Sequence, residues 1–420
     1  MAFISRESFK VGLFLGKRQL LRAPRSTTFL MIIIMTLTFL SLVGISGILV
    51  GLIVGGNIAN KEQFTGGVII KNYPGKNYIE SAQTIKKTVD QIPGVIASTQ
   101  RFLSGASIVG NYSNRRDFDK RQDRAGSQIT GINIADEEKV SGLSKYIVEG
   151  SFITEQDRGY VVLGANLFKR YSSGFGEDFD SLGAVFPGDR VLITANGVTK
   201  EFIVKGVVKS KVGEVSIRAF MNTTDFLEMS QRPDLGGNEI AIKHDDTMTD
   251  IELKNTLRSL GFENYASIKT ADEAIPDFLI QIKLAFSVLG TIIGFIGLLV
   301  SSVTVFIIIY INTLARRKFI GFLKAVGIDH TSVEIASVFQ SVVYSIIGVM
   351  CGIAIIYGLL VPLFNAHPVD FPFSDGILYA PLKQTIIKGF LIVVLTALAG
   401  YLPARKISRK PTLDSILGRS

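Results

Sequence analysis

Long stretches without charge alternate along this chain with one long stretch rich in it. From Ser26 to Asn60 no residue is charged, and Phe29–Val54 is almost wholly Leu, Ile, Val, Met, Phe, Gly and Thr. Charge-free runs recur over Leu284–Leu314 and Ile335–Ala366. Each outruns the roughly 20 residues a helix needs to cross a hydrocarbon layer of about 30 Å, so each predicts a membrane-spanning helix. A fourth run, Gly389–Leu402, is shorter, and predicts a span whose outer end needs Lys383 and Lys388 to extend their ammonium groups toward the interface. The first run is too long for the core of a signal peptide, and no small-residue cleavage site follows it, so it predicts a retained anchor.

Between the first two spans the pattern changes. Gly67–Lys71 and Val95–Phe102 are β-prone. Between them Ile85, Val89 and Ile92 recur at helical spacing before a Pro93-Gly94 break. The far end repeats this arrangement. Glu239–His244 predicts a strand, Asp250–Leu260 a helix with Ile251, Leu257 and Leu260 turned to the core, and Tyr265–Lys269 a strand. Two such β-α-β pieces separated by an insertion predict a split ferredoxin-like subdomain. The insertion, residues 104–235, predicts short strands at Tyr160–Leu163, Arg190–Thr194 and Glu201–Val208, with Asn196-Gly197 as a hairpin turn. Ser113–Gln128 is dense in both charges and nearly free of apolar residues; it predicts a solvated loop or a partner-binding arm. The fold class is thus four transmembrane helices with a large extracytoplasmic α+β domain between helices 1 and 2.

Composition sharpens this picture. A hydrophobic content of 47% over 420 residues and a mean hydropathy of +0.35 exclude an ordinary soluble enzyme. The net charge of +9 is unevenly divided. The segments before the first span, between the second and third, and after the fourth carry 15 basic and 4 acidic residues, a balance of +11. Residues 57–277 carry 27 basic and 30 acidic, a balance of −3. Such a division is the positive-inside signal of a membrane protein with both termini in the cytoplasm, and argues against nucleic acid as a partner. The single cysteine, Cys351, falls inside the third span, so the outer domain has no disulfide to hold it.

Candidate chemistry is sparse. His244, His330 and His367 are far apart, no acid pair stands out, and no catalytic, cofactor or metal residue is predicted. Gly12–Arg18 superficially resembles a phosphate-binding loop, but is one residue short, has Arg where a hydroxyl belongs, and follows no strand. Residues 1–25 predict a basic helix on the cytoplasmic membrane surface, with Phe9, Leu13, Gly16 and Leu20 on one stripe. In the first span Gly47, Gly51 and Gly55 repeat every four residues, a spacing suited to close helix packing or dimerisation; Gly290/Gly294 and Gly348/Gly352 repeat it. The cytoplasmic loop Ile311–Val333 combines basic residues with an apolar helical face of Phe319, Phe322, Leu323 and Val326, and Gly327 offers a stop. Such a helix suits a groove on a protein partner.

The same loop resembles the conserved block of the FtsX-like permease family, the MacB-type or type VII ABC transporter permeases. Arg316, Arg317, Ile320, Gly321, Leu323, Lys324, Ala325 and Gly327 stand in the places of its R-R-x-x-I-G-x-L-K-A-x-G pattern. The tail resembles the family ending through Gly400, Pro403, Ala404, Pro411 and Leu417, with Ile407 where a small residue is usual. Tyr146–Phe152, Val161–Gly164 and Gly188–Val208 are similar to elements of the family's outer domain, although Ser151 replaces its usual Arg.

The resemblance implies a bacterial inner-membrane permease subunit that dimerises with a second copy or a related permease and binds two copies of a separate ABC ATPase. It implies docking of that ATPase on the loop at Arg316, Arg317, Phe319, Ile320, Gly321, Phe322, Leu323, Lys324, Ala325 and Gly327. ATP-driven motion would then reach the outer domain by mechanotransmission, acting on a peptide, lipoprotein, lipid or hydrophobic compound, with membrane lipid and an envelope adaptor as further partners. The alternative within the family is an envelope regulator that activates a cell-wall hydrolase or senses a ligand. The expected boundaries are a cytoplasmic segment 1–25, spans 26–56, 278–314, 334–362 and 383–404, outer regions 57–277 and 363–382, a coupling loop 315–333 and a tail 405–420.

Overall fold

The computed structural model describes residues 6–112, 123–171, 180–231, 236–275, 277–315, 321–322, 325–367, 369–371, 374–376 and 378–408. Two compact units emerge. One comprises Met1–Ile53, Gln281–Val369 and Gly376–Ser420; the other comprises Val54–Ile280 and Asp370–Asp375. The chain opens with helices α1 (Arg6–Leu21) and α2 (Arg25–Asn60). A π-helical turn, Lys61–Thr65, follows α2 and is closed by Gly66 and Gly67 at φ of +72° and +146°. Only glycine adopts such angles without strain, which is how the chain turns out of the helix into a strand.

The outer unit continues as β1 (Gly67–Lys71), α3 (Ala82–Val89), β2 (Val95–Val109), β3 (Arg124–Ile132), α4 (Ile134–Val140), β4 (Ile147–Gly150) and β5 (Tyr160–Gly164). Then come β6 (Arg190–Ala195), β7 (Val198–Val208), α5 (Gly213–Ser216), β8 (Arg218–Asn222), α6 (Thr223–Ser230), β9 (Glu239–His244), α7 (Asp250–Ser259) and β10 (Ser267–Thr270). Their ten strands form one sheet in the order β10-β1-β9-β2-β3-β8-β5-β7-β4, with β6 joining β2 and β7. β1 pairs antiparallel with both β10 and β9, and β9 antiparallel with β2. Strict alternation decides the faces. Val68, Ile70, Ile240 and Ile242 meet Ile85, Val89, Leu253 and Leu257 of α3 and α7, whereas Ile69 and Ala241 join Phe64 on the other side.

Two sequence expectations need correction here. In α7 the side chain of Thr249 accepts from the Glu252 amide (3.2 Å) and the Glu252 carboxylate accepts from the Thr249 amide (2.7 Å), a capping box that fixes where the helix starts. That start turns Leu253 and Leu257 inward, leaving Ile251 65% exposed and Leu260 47% exposed, so these two are not core residues. The charged segment Ser113–Gln128 is not all loop. Its part 113–122 lies outside the described residues, but Arg124–Gln128 belongs to β3, which pairs with a β2 extended beyond Phe102 to Val109. Arg124 and Gly126 face water there while Ala125 is buried. At the Asn196-Gly197 turn, Ala195 pairs with Val198 and both turn residues have positive φ (48° and 81°), the two-residue hairpin geometry that Asn-Gly favours.

The remaining helices are α8 (Asp277–Ala315), α9 (His330–Ile355), α10 (Val361–Ala366) and α11 (Leu382–Ser408), and between the last two in the chain the short strands β11 (Val369–Phe371) and β12 (Ser374–Gly376) pair with each other. Among the described residues, four helices are long and apolar enough to cross a membrane. Helix α9 is the hub. Its Gly348 and Gly352 leave room only for Met35 and Phe39 of α2, Gly389 of α11 would put a Cβ 2.8 Å from Val349, and Gly400 of α11 abuts Ser341. Each missing Cβ lets two backbones close together, the chief source of helix association where no hydrophobic force separates protein from lipid. Thr36 Oγ1 sits 3.2 Å from the Gly348 carbonyl across this contact. In α11, Lys388 is half-buried and donates to Ser46 Oγ of α2, while Lys383 is exposed. On α8, by contrast, the apolar side chains Leu284, Val288, Ile292, Phe295, Leu299 and Val303 all face outward.

Candidate functional site

The outer unit gathers its chain entrances at one place. The Asn60 side-chain amide donates to the Ala271 carbonyl (2.7 Å), linking the end of α2 to the segment that leaves β10 for α8. Lys61 Nζ reaches Asp250 Oδ1 at 2.6 Å, and the same carboxylate oxygen lies 2.6 Å from His244 Nε2. Gln63 Oε1 accepts from Ser210 Oγ (2.8 Å) and from the Lys211 amide (3.0 Å). Lys211 in turn holds the Asp370–Asp375 segment, through Asp375 (2.9 Å) and the Phe371 carbonyl (3.0 Å). Because β1 and β10 pair directly, from Val68↔Thr270 to Lys71↔Ser267, the strand that enters and the strand that leaves are zipped together.

Phe64, the next residue after Gln63, is the centre of a buried ionic ring. Lys71, Arg101 and Arg218 lie over its ring at 5.0, 4.8 and 5.0 Å, close enough for cation–π attraction. Arg101 makes a two-pronged contact with Glu137 (2.9 and 2.7 Å) and donates to the Phe64 carbonyl (2.8 Å). Arg218 pairs in the same way with Glu239 (2.9 and 3.0 Å), which also meets Lys71 at 3.2 Å. Thr99 and Ser141 complete the Glu137 shell at 3.1 and 2.5 Å.

Burial alone would raise both carboxyls, yet the neighbouring guanidinium charges outweigh it. Arg101 holds Glu137, and Arg218 with Lys71 holds Glu239, below the usual carboxylate range. Five secondary-structure elements converge here: Lys71 from β1, Arg101 from β2, Glu137 from α4, Arg218 from β8 and Glu239 from β9. A cleft of about 260 Å³ opens beside the ring, lined by Lys71, Glu214, Arg218 and Glu239 with Leu103, Gln128 and Ile217. Sequence reasoning did not find this ring. Its only signal is an arginine inside a β-prone run, Arg101 before Phe102 and Arg218 before Ala219-Phe220, where an exposed strand face is the commoner explanation.

Of the loop residues singled out earlier, Arg316, Arg317, Phe319, Ile320, Leu323 and Lys324 lie outside the described residues. Gly321 is buried, Phe322 is 62% exposed, and Ala325 and Gly327 are exposed. The Val326 amide bonds to the Phe322 carbonyl (3.1 Å), and Gly327 follows with φ +92°. The glycine stripe of α2 is buried by the chain itself. A Cβ at Gly47 would come within 2.9 Å of Leu378, and the Gly47 carbonyl accepts from Tyr379 (3.1 Å); Gly51 is buried, and Gly55 abuts Ser374. In the tail motif Gly400, Pro403 and Ala404 are all buried positions of α11, and Ser408 donates to Glu334 of α9 at 3.0 Å. Among the described residues no three His, Cys, Asp or Glu side chains cluster as a metal site would require, and Cys351 faces outward from α9.

Residues 291–412 match the family described as FtsX-like permease C-terminal. The macrolide export ATP-binding/permease protein MacB of Escherichia coli is 31% identical over 136 residues, 32% of this chain and 20% of that protein. MacB 2 of Escherichia coli O1:K1 / APEC shows the same figures. The chain therefore covers about a fifth of the length of these curated relatives. Among solved structures, the periplasmic region of MacB from Actinobacillus actinomycetemcomitans aligns with 50% of this chain and 92% of its own at 18% identity and a TM-score of 0.34. The extracellular domain of the transporter YknZ from Gram-positive bacteria aligns with 49% of this chain and 98% of its own at 13% identity and a TM-score of 0.32. The C-terminal part of this multi-pass membrane chain is thus similar to the FtsX-like permeases and to MacB, in line with the resemblance of its loop and tail motifs.

Proposed function

We propose that this chain is the permease subunit of an ABC transporter that converts ATP hydrolysis on a separate ATPase into movement of its outer domain. The observation that carries the reading is the junction at Asn60–Phe64. The end of α2, the lead into α8 and the Asp370–Asp375 segment are all held by hydrogen bonds or ion pairs in the base of the outer unit. A displacement of α2 along its axis would therefore pass into the sheet through Phe64 and Arg101 rather than be absorbed by a loop. The strands β10-β1-β9-β2 with α3 and α7 form, on this reading, the split ferredoxin-like base, and the remaining strands the working insertion. Both termini and the loop 315–333 face the cytoplasm, where two ATPase copies dock on the turn carrying Phe322. A second permease copy completes the assembly, and α8 offers it the least buried apolar face. The cargo is a peptide, lipoprotein, lipid or hydrophobic compound handled outside the membrane, with an envelope adaptor as a further contact.

Phe322→Asp tests this reading. An aromatic anchor lost from an interface costs about 2 kcal/mol or more, roughly thirtyfold in affinity. Co-purified ATPase per permease and ATP turnover in reconstituted membranes should fall by that order while insertion is unchanged. Wild-type binding and turnover in Phe322→Asp would remove the loop from the docking surface.

A further inference from the structure

We propose that the outward face of α1 is a binding surface for the anionic headgroups of bilayer phospholipids. It extends the functional reading only by placing α1 at a membrane interface, and holds for either orientation of the chain.

The inner face of α1 is already occupied. A Cβ at Gly12 would stand 2.7 Å from Ile335, and one at Gly16 2.9 Å from Phe339, so α1 lies directly on the first turns of α9. Ser332 donates to the Ser8 carbonyl at 3.0 Å, Ser8 to Asp329 at 3.2 Å, and Gln340 to Gln19 at 2.5 Å. These contacts fix the rotation of the helix, and with it what the opposite face presents. That face carries Phe14 and Leu21, 60% and 73% exposed, flanked by the exposed Lys10, Lys17, Arg18 and Arg22. Arg18 leans on the Phe14 ring at 5.9 Å, so charge and apolar surface are adjacent rather than segregated.

Position selects the occupant. Only residues 22–24 separate α1 from α2, and they are hydrogen-bonded back into both helices: Arg22 to the Arg18 carbonyl (3.1 Å) and Thr28 to the Pro24 carbonyl (3.1 Å). Three linking residues reach at most about 13 Å, so Leu21 cannot leave the level at which the first span enters the bilayer. There α2 presents its first exposed apolar side chains, Phe29 and Leu30. A helix held at that depth, with aromatic and aliphatic groups set among cations, matches the boundary between acyl chains and phosphates, and basic residues near such a surface favour anionic lipid.

The chain has no tryptophan, so Phe14→Trp supplies a sole fluorophore on this face. The full-length protein is reconstituted in mixed phosphatidylcholine and phosphatidylglycerol vesicles, with bromine on the acyl chains of one lipid or the other. Brominated phosphatidylglycerol should quench about twofold or more strongly than brominated phosphatidylcholine at equal mole fraction. That preference should vanish, with quenching retained, when Lys10→Gln, Lys17→Gln, Arg18→Gln and Arg22→Gln are combined. Equal quenching by both lipids in the protein with its native charges overturns headgroup selection. No quenching by either overturns lipid occupancy of the face. Neither result bears on ATPase docking, which the Phe322→Asp measurement decides by itself.

Discussion

Arg101 concentrates the argument at the scale of single residues. It is 1% exposed, paired through two nitrogens to an equally buried carboxylate, and bonded to the carbonyl of Phe64. Removing one member of such a pair leaves a charge in a place where water cannot reach it, at a cost of about 3–5 kcal/mol. Arg101→Leu should thus lower the melting midpoint of the outer domain by about 10 °C. Adding Glu137→Leu should restore part of the loss, because the orphaned carboxylate is gone. Calorimetry of the two variants checks the order; an Arg101→Leu protein as stable as the double variant would deny the pair its role. None of this was legible beforehand. A lone arginine in a β-prone run reads as a solvated position, since the partners that bury it come from α4 and from strands far along the chain.

Elements were read more successfully than residues, and the reason is periodicity. The limits of β1 and β9 coincide with the expected Gly67–Lys71 and Glu239–His244, and the four long apolar runs became four long helices. Phase within a helix was harder. Ile251 belongs by composition in a core, but the cap at Thr249 turns it to water. Among the membrane helices the small residues sort into used and unused. Gly352 abuts Phe39, whereas Gly294 of α8 has nothing within 4 Å. Gly352→Leu should therefore destabilise the detergent-solubilised monomer by about 1–3 kcal/mol through overpacking. Gly294→Leu should leave the monomer unchanged. Thermal unfolding of both variants tests the asymmetry, and equal losses would contradict the packing described for α9.

For the molecule as a whole, the division of charge between +11 and −3 sets the expected sidedness. In a Cys351→Ser background, a membrane-impermeant thiol reagent should label Asn196→Cys in intact cells and fail to reach Lys410→Cys; the reverse pattern would invert the topology. Class and span number were legible because hydrocarbon imposes long uniform runs on the sequence. The junction was not, because Asn60, Gln63, Lys211 and Ala271 look like ordinary polar or small residues until the fold brings them together. The pairing of β1 with β10 has a consequence for how such a chain can change over time. Adjacent antiparallel strands leave the two ends of everything between Gly67 and Thr270 side by side. A segment whose ends meet is an interchangeable cassette: it can be lost, enlarged or replaced by another with the same closely spaced ends, without asking the flanking helices to move apart.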